Sequence, residues 1–151
     1  MTRRELALAA AAAVLARPAA ALAATDEPAI LTGLIEREQA AAFAYARAAR
    51  APLAAQEDEH ARALASELAA MGIEAPPKPR AASELDPAAR RALRGGTEEA
   101  IALEQSLLDA YESAIRGLEQ PQVLQTAATV MASHAQHLAM LRREAGRDPL
   151  A

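Results

Sequence analysis

Two of the three histidines in this 151-residue chain lie three positions apart, at His134 and His137, in a segment with helical character. Residues three apart on an α-helix share a face, so both imidazoles can point in one direction. The third histidine, His60, follows Glu57 by the same spacing. Imidazole and carboxylate groups are common metal ligands. The two segments therefore predict a metal site, provided that they face each other across a helical bundle.

Two further carboxylates occupy matching places in the other helical segments. Glu38 and Glu104 are each followed by glutamine and, seven positions on, by a tyrosine, Tyr45 or Tyr111. The second and fourth segments share His-x-x-x-Leu. These repeats predict two copies of one helical hairpin, packed with pseudo-two-fold symmetry and with both glutamates at one level. We expect each tyrosine to pack in the core with a buried partner for its hydroxyl.

Apolar residues at helical spacing predict four long helices, each with a potential ligand on its buried face. The predicted buried stripes are Leu31, Leu34, Glu38, Ala41 and Tyr45; Leu53, Glu57, His60, Leu64, Leu68 and Met71; Ile101, Glu104, Leu108, Tyr111, Ile115 and Leu118; and Leu124, Ala127, Met131, His134, His137 (or Leu138) and Leu141. No segment has the alternating pattern of a strand. The other acidic residues are expected on a solvated face.

Capping and helix-breaking residues predict where these helices begin and end. Asp26 is the expected N-cap of the first helix and Thr97 that of the third. Residues 74–80 contain three prolines, and residues 74–96 form a long connection, with one short helix beginning at 86–87. The predicted fold is all-α: a four-helix up-down bundle over residues 26–146 with one crossover, 74–96, between helices two and three.

The first hairpin is predicted to be short. Glu38 and Glu57 lie symmetrically about residues 47 and 48, whereas Pro52 predicts a turn nearer residue 50. At 1.5 Å of rise per residue, such a turn offsets the two glutamates by about 7 Å. Either the first helix ends soon after Tyr45, or Glu57 and His60 lie off the level of Glu38.

Residues 1–23 have the order of an export signal. Arg3 and Arg4 precede an alanine-rich apolar stretch, and Ala21-Leu22-Ala23 is a small-x-small cleavage site. The paired arginines favour the twin-arginine route, with a periplasmic or extracellular destination. The apolar stretch is too short and too rich in alanine for a good membrane span, so no membrane association is expected after its removal. The alternative is an uncleaved N-terminal helix.

Composition excludes several classes of site and partner. The chain has no cysteine, which rules out thiolate ligands and disulfides, and only 2% aromatic residues, which predicts a core of alanine and leucine. Without residues 1–23 it would carry 13 basic and 19 acidic side chains, a net charge of −6. An acidic surface without a basic stripe argues against nucleic-acid binding.

The chain resembles the ferritin-like superfamily of dimetal carboxylate bundles, which includes ferritin, bacterioferritin and rubrerythrin. It most resembles the small exported ferritin-like domain proteins of bacteria, over about residues 28–146. The resemblance implies an iron centre, di-iron or mononuclear, with manganese or zinc as alternatives. It also places Tyr45 beside the centre. The ligands that it implies are Glu38, Glu57, His60, Glu104 and His137.

His134 departs from the family pattern, because the family has the second glutamate of Glu-x-x-His there. Three carboxylates leave about one charge of two divalent ions uncompensated, and imidazole does not bridge metals as a carboxylate does. We include His134 as a sixth ligand that replaces a carboxylate. The replacement predicts an asymmetric site, a preference for one metal, or loss of the second metal.

The resemblance implies Fe(II) oxidation or the handling of oxygen or peroxide, as in a ferroxidase-type oxidoreductase with an incomplete ligand set. Other oxidase or catalase chemistry fits the same centre, and no catalytic residue is assigned. The expected partners are metal ions, and the expected state is a monomer or homodimer, not a cage, because no fifth helix follows the fourth. The alternative function is a metal-free helical bundle with an interaction or envelope-stress role.

Overall fold

Four long helices form a bundle in the computed structural model, which describes residues 26–150. They are α1 (Glu27–Arg47), α2 (Ala51–Ala70), α4 (Thr97–Ile115) and α5 (Pro121–Glu144), with the short helix α3 (Pro87–Ala92) in the connection between α2 and α4. That connection also contains a 3₁₀ turn at Ala82–Glu84. Residues 26–150 contain no strand. The prediction of an all-α, four-helix bundle with one long crossover is confirmed.

The predicted helix starts are confirmed in one case and wrong in another. The Asp26 carboxylate accepts a hydrogen bond from the backbone N–H of Ala29 at 3.1 Å, as an N-cap does. Thr97, by contrast, is already the first helical residue, and Gly96 holds the cap position without a side-chain bond. The Thr97 hydroxyl instead donates to Glu144 Oε1 at 2.7 Å, so tertiary contact displaces local capping.

Two of the predicted buried stripes are shifted by one residue in part of their length. In α5, Leu124 is 36% exposed and its neighbour Val123 is buried instead. Val130 is also buried, about two helical turns further along the same face. In α4, Leu107 is buried and Leu108 only partly so. The predicted and the observed sets of buried residues both keep the three- and four-residue spacing of a helix face, so periodicity alone does not distinguish them. Packing against the first hairpin selects the buried set.

The apolar core has two parts, and the polar side chains of the bundle lie between them. One part surrounds Tyr45 and Leu141, and the other surrounds Leu31, Leu68 and Tyr111. Along α1 and α5, the residues that could bind metal fall between segments that belong to different parts. The bundle therefore holds a polar layer within an otherwise alanine- and leucine-rich interior.

The register of the first hairpin follows the first of the two predicted alternatives. Helix α1 ends at Arg47, two residues after Tyr45, and α2 begins at Ala51. The turn is centred on Ala49, so Glu38 and His60 lie symmetrically about it. The two residues meet across the hairpin, with His60 Nδ1 3.6 Å from Glu38 Oε2.

The predicted export signal, residues 1–23, lies outside the described residues. Among residues 26–150, no helix has the length and apolar character needed to cross a bilayer.

Candidate metal centre

All six predicted ligands converge in the polar layer. They come from every long helix, since α1 and α4 give one glutamate each, α2 gives Glu57 and His60, and α5 gives two histidines. Their ligand atoms form two groups in which all atoms lie within 4.8 Å of one another. The groups are Glu38, Glu57, His60 and His134, and Glu57, Glu104, His134 and His137. They share Glu57 and His134, which places these two residues in the middle of the cluster.

Burial of the cluster is nearly complete. The three glutamates and His134 are fully buried, and His137 is 4% exposed. His60 is the exception, with 13% of its side chain exposed. Three carboxylates in such an interior require compensating charge, because burial strongly disfavours an unpaired ion.

His134 joins the two hairpins through hydrogen bonds at both ring nitrogens. Its Nε2–H donates to Glu38 Oε1 and its Nδ1–H donates to Glu104 Oε2, each at 2.9 Å. Both nitrogens can donate only when the ring is protonated. Burial lowers the pKa of His134, but the hydrogen bonds and charges of the carboxylates outweigh it and raise that pKa to about 10.

Glu57 occupies the corresponding place on α2, between the other two histidines. It accepts a hydrogen bond from His60 Nδ1–H at 2.9 Å, and its other oxygen lies 3.2 Å from His137 Nδ1. The nearest approach of Glu57 to His134 is 3.8 Å. Under the predicted two-fold repeat, His60 matches His137 and Glu57 matches His134. In the structure Glu57 lies between His60 and His137, and His134 lies between Glu38 and Glu104.

The two tyrosines link the hairpins crosswise. The Tyr45 hydroxyl donates to Glu104 Oε1 at 2.6 Å, and the Tyr111 hydroxyl donates to Glu38 Oε1 at 2.5 Å. Burial, with the neighbouring carboxylates, raises the pKa of each phenol above its ordinary value, so both remain protonated donors. The prediction that each tyrosine packs in the core with a buried hydroxyl partner is confirmed.

The three carboxyl groups differ in the direction in which their pKa values are shifted. Burial raises the pKa of Glu38 and of Glu104, but hydrogen bonds from the histidines outweigh it and lower both below the ordinary value. In Glu57 burial prevails over the opposing effect of the nearby His137 and His60 imidazoles, and its pKa is raised. Burial likewise lowers the pKa values of His60 and His137, yet the adjacent carboxylates raise each to about 9.

The donor set fits a bound metal because several buried polar atoms have no hydrogen-bond partner. These atoms are Glu38 Oε2, Glu57 Oε1 and both ring nitrogens of His137. Buried polar atoms are nearly always paired, so unpaired ones in one cluster need an explanation. Carboxylate oxygens and imidazole nitrogens are ligands for iron, manganese and zinc.

No sequence pattern indicated the cavity beside His60, which is lined by residues such as Ala63, Thr129 and Ser133. Small and hydroxyl side chains carry no pattern that distinguishes a cavity wall from ordinary helix surface. Only the packing of α2 against α5 shows that they surround a potential ligand.

A profile of the ferritin-like domain family matches residues 20–147, which is most of the chain. Comparison with curated proteins and with solved structures gave no match.

Proposed function

This chain belongs to the ferritin-like domain family, and on that premise we propose that it is an exported protein that binds iron or a similar metal in its bundle core. The proposed reaction is oxidation of Fe(II) with oxygen or peroxide. The order of residues 1–23, with paired arginines and a small-x-small site, supports the export part. Recovery of the protein from the periplasm with Ala24 as its first residue would support it, and retention of Met1 in the cytoplasm would contradict it.

One observation carries the metal part of the proposal: unpaired buried ligand atoms from several helices meet at one place. Glu57 Oε1 and the His137 nitrogens have no hydrogen-bond partner although they lie in the same cluster. A purely structural polar network would be expected to satisfy its buried members. A metal ion would satisfy them together.

Each ligand has a role set by its position. Glu57 belongs to both four-residue groups and is therefore the candidate bridging carboxylate. His60 and His137 would be terminal nitrogen ligands, and the two outer carboxylates, Glu38 and Glu104, would be terminal or bridging ligands. Bound iron supplies one-electron chemistry between Fe(II) and Fe(III).

The tyrosines and His134 orient the outer carboxylates. Tyr111 holds Glu38 Oε1 and Tyr45 holds Glu104 Oε1, so in each carboxylate the other oxygen is directed into the cluster. His134 contacts both glutamates and belongs to both groups. Ligands fixed by such outer contacts bind metal with less reorganisation.

The metal-free alternative is favoured by a different observation. Three carboxylates face three imidazoles, and protonated imidazoles compensate the buried negative charge without any metal. His134 already has both nitrogens hydrogen-bonded. A bundle of this kind would keep the family fold and act through its surface in an interaction or envelope-stress role.

Elemental analysis of protein folded in the cell separates the two functions. We expect about one or two metal ions per chain in the wild type, and a loss of most of that metal in Glu104→Ala and His137→Ala, since each removes one ligand from the group that it shares with Glu57 and His134. Glu104→Gln provides a smaller change if the alanine variant fails to fold. Glu112→Ala is the matched control, because Glu112 is an exposed glutamate on the same helix. Less than about 0.2 metal per chain in the wild type, unchanged by these variants, would reject the metal function.

A further inference from the structure

A cavity of about 460 Å³ lies between α2 and α5, beside the polar layer. Its walls include Glu59, His60 and Ala63 from α2 and Thr126, Thr129 and Ser133 from α5. These helices belong to different hairpins, so the cavity lies on the seam between the two halves of the bundle. Its lining contains His60 of the cluster, whereas the linings of two other cavities, one beside Glu36 and one beside Gln136, contain none of the six residues.

The most exposed residue of the cluster is the one that lines this cavity. The side chain of His60 is 13% exposed, whereas that of His137 is 5% exposed and those of His134 and Glu57 are fully buried. A small molecule that reaches the cluster without separation of the helices therefore meets His60 first. Ala63 and Thr129 on the walls are exposed and small, which leaves this route open.

More of the cavity surface is apolar than polar, but its polar groups include three hydroxyls, those of Thr126, Thr129 and Ser133. Thr126 donates to Glu67 Oε1 at 2.7 Å and Thr129 donates to the Gln125 carbonyl at 2.9 Å, so each hydroxyl keeps its oxygen as an acceptor. Glu59 is the one carboxylate on its walls. A different cavity, about 420 Å³ between α1 and the crossover, has Glu36, Glu84 and Asp86 against a single Arg37. The cavity between α2 and α5 therefore attracts cations less than the cavity between α1 and the crossover.

We propose that the cavity between α2 and α5 admits a small uncharged hydrogen-bonding oxidant, hydrogen peroxide, to the His60 side of the cluster. This inference rests on the proposed function for its redox step. Hydrogen peroxide takes one electron from each of two Fe(II) ions and two protons from solvent, and leaves as two water molecules. Ala63 and Thr129 set the width of the route and do not take part in the chemistry.

The test narrows the route without changing a ligand. Ala63→Leu combined with Thr129→Leu fills the cavity from both walls with side chains that favour helix. The matched control is Ala128→Leu with Ala132→Leu, two exposed positions on α5 that line a neighbouring cavity without His60. Fe(II) is loaded without oxygen, its content is measured, and oxidation is followed by absorbance after mixing with hydrogen peroxide or, separately, with dioxygen.

We expect oxidation by hydrogen peroxide to slow about tenfold or more in the cavity-filling variant at unchanged Fe(II) content, and to keep the wild-type rate in the control. An unchanged peroxide rate would overturn the proposal, as would a slowing confined to dioxygen. Slower loading of Fe(II) would also overturn it, because the cavity would then carry cations.

A second measurement needs no metal and keeps access separate from the proposed function. Hydrogen–deuterium exchange at the imidazole C2 position, measured by mass spectrometry on metal-free protein, reports access of solvent to each histidine. His60 is expected to exchange faster than His134, and the cavity-filling variant is expected to slow His60 alone. If the protein binds no metal, the proposed function fails while this exchange still decides whether the route exists. If His60 exchanges at the same rate in the wild type and in the cavity-filling variant, the proposed route is rejected.

Discussion

At the scale of single residues, His134 decides what kind of centre this bundle can hold. It stands where the family pattern has a carboxylate, and its ring nitrogens contact Glu38 and Glu104 at 2.9 Å. In the metal-free protein a protonated His134 contributes one positive charge between two carboxylates. With two divalent ions bound, a neutral His134 contributes none, and three carboxylates leave about one positive charge uncompensated.

We predict that His134→Glu increases the amount of metal bound per chain. The fourth carboxylate would neutralise the second divalent ion, and it could bridge in the way proposed for Glu57. In the metal-free protein the same change places a fourth carboxylate in a buried cluster, so the melting temperature without metal should fall while the increase on metal addition becomes larger. Metal analysis together with thermal unfolding, with and without metal, measures both effects.

His134→Gln is the control, because it removes the imidazole without adding charge. It should not increase metal binding. If His134→Glu instead abolishes binding, the histidine is a required ligand of a specialised site, and the interpretation of a weakened dimetal centre is wrong.

At the scale of elements, the turn between α1 and α2 sets the level of the first hairpin. Three residues connect the helices, and Ala49 has φ = +57°, the left-handed region that favours glycine. The N–H of Arg50 bonds the carbonyl of Tyr45 at 2.9 Å, which closes the turn close to the end of α1. This early turn brings His60 level with Glu38.

We predict that Ala49→Gly raises the free energy of unfolding by about 0.5–1 kcal/mol. The left-handed conformation costs alanine about 1–2 kcal/mol, and the greater entropy of glycine in the unfolded chain offsets part of the gain. Ala49 is exposed, so little packing is lost. Urea unfolding of the metal-free protein measures the change. Ala48→Gly is the matched control: Ala48 has φ = −82°, and glycine there should not stabilise. A lower stability of Ala49→Gly would show that the strain is not released.

At the scale of the whole molecule, the two halves are held together at the polar layer by groups of opposite charge. The pKa values of His60 and His137 are raised to about 9 and that of His134 to about 10. The facing carboxylates Glu38, Glu57 and Glu104 cause these increases, against the effect of burial. Protonated imidazoles thus stabilise the metal-free bundle, whereas metal binding requires neutral ones.

We predict that the stabilisation by metal increases with pH between about 6 and 9. A histidine whose pKa is raised on folding gives the metal-free protein stability that is fully present below the unfolded value of 6.5 and is lost as pH rises through about 9 to 10. Metal must displace those protons, so each displaced proton weakens apparent metal affinity about tenfold per pH unit of acidification. The difference in melting temperature between metal-loaded and metal-free protein, measured at several pH values, checks this.

Calorimetric titration in two buffers of different ionisation enthalpy gives the number of protons released on binding. His137→Gln should bind less metal and release fewer protons. A metal-induced increase in melting temperature that is the same at pH 6 and pH 9 would contradict the prediction.

The sequence by itself determined the helices, the crossover and the identities of the six cluster residues. Helical periodicity and the repeated Glu…Tyr spacing are local properties of one chain segment, so they can be identified without knowing how the helices pack. Tertiary structure alone decided which of two equally spaced stripes α5 buries, Val123 and Val130 or Leu124 and Met131. It also decided that Thr97 bonds Glu144 instead of capping its own helix. The crosswise Tyr–Glu pairs and the cavity beside His60 arise between hairpins, where distances depend on how two helices meet and not on spacing within either.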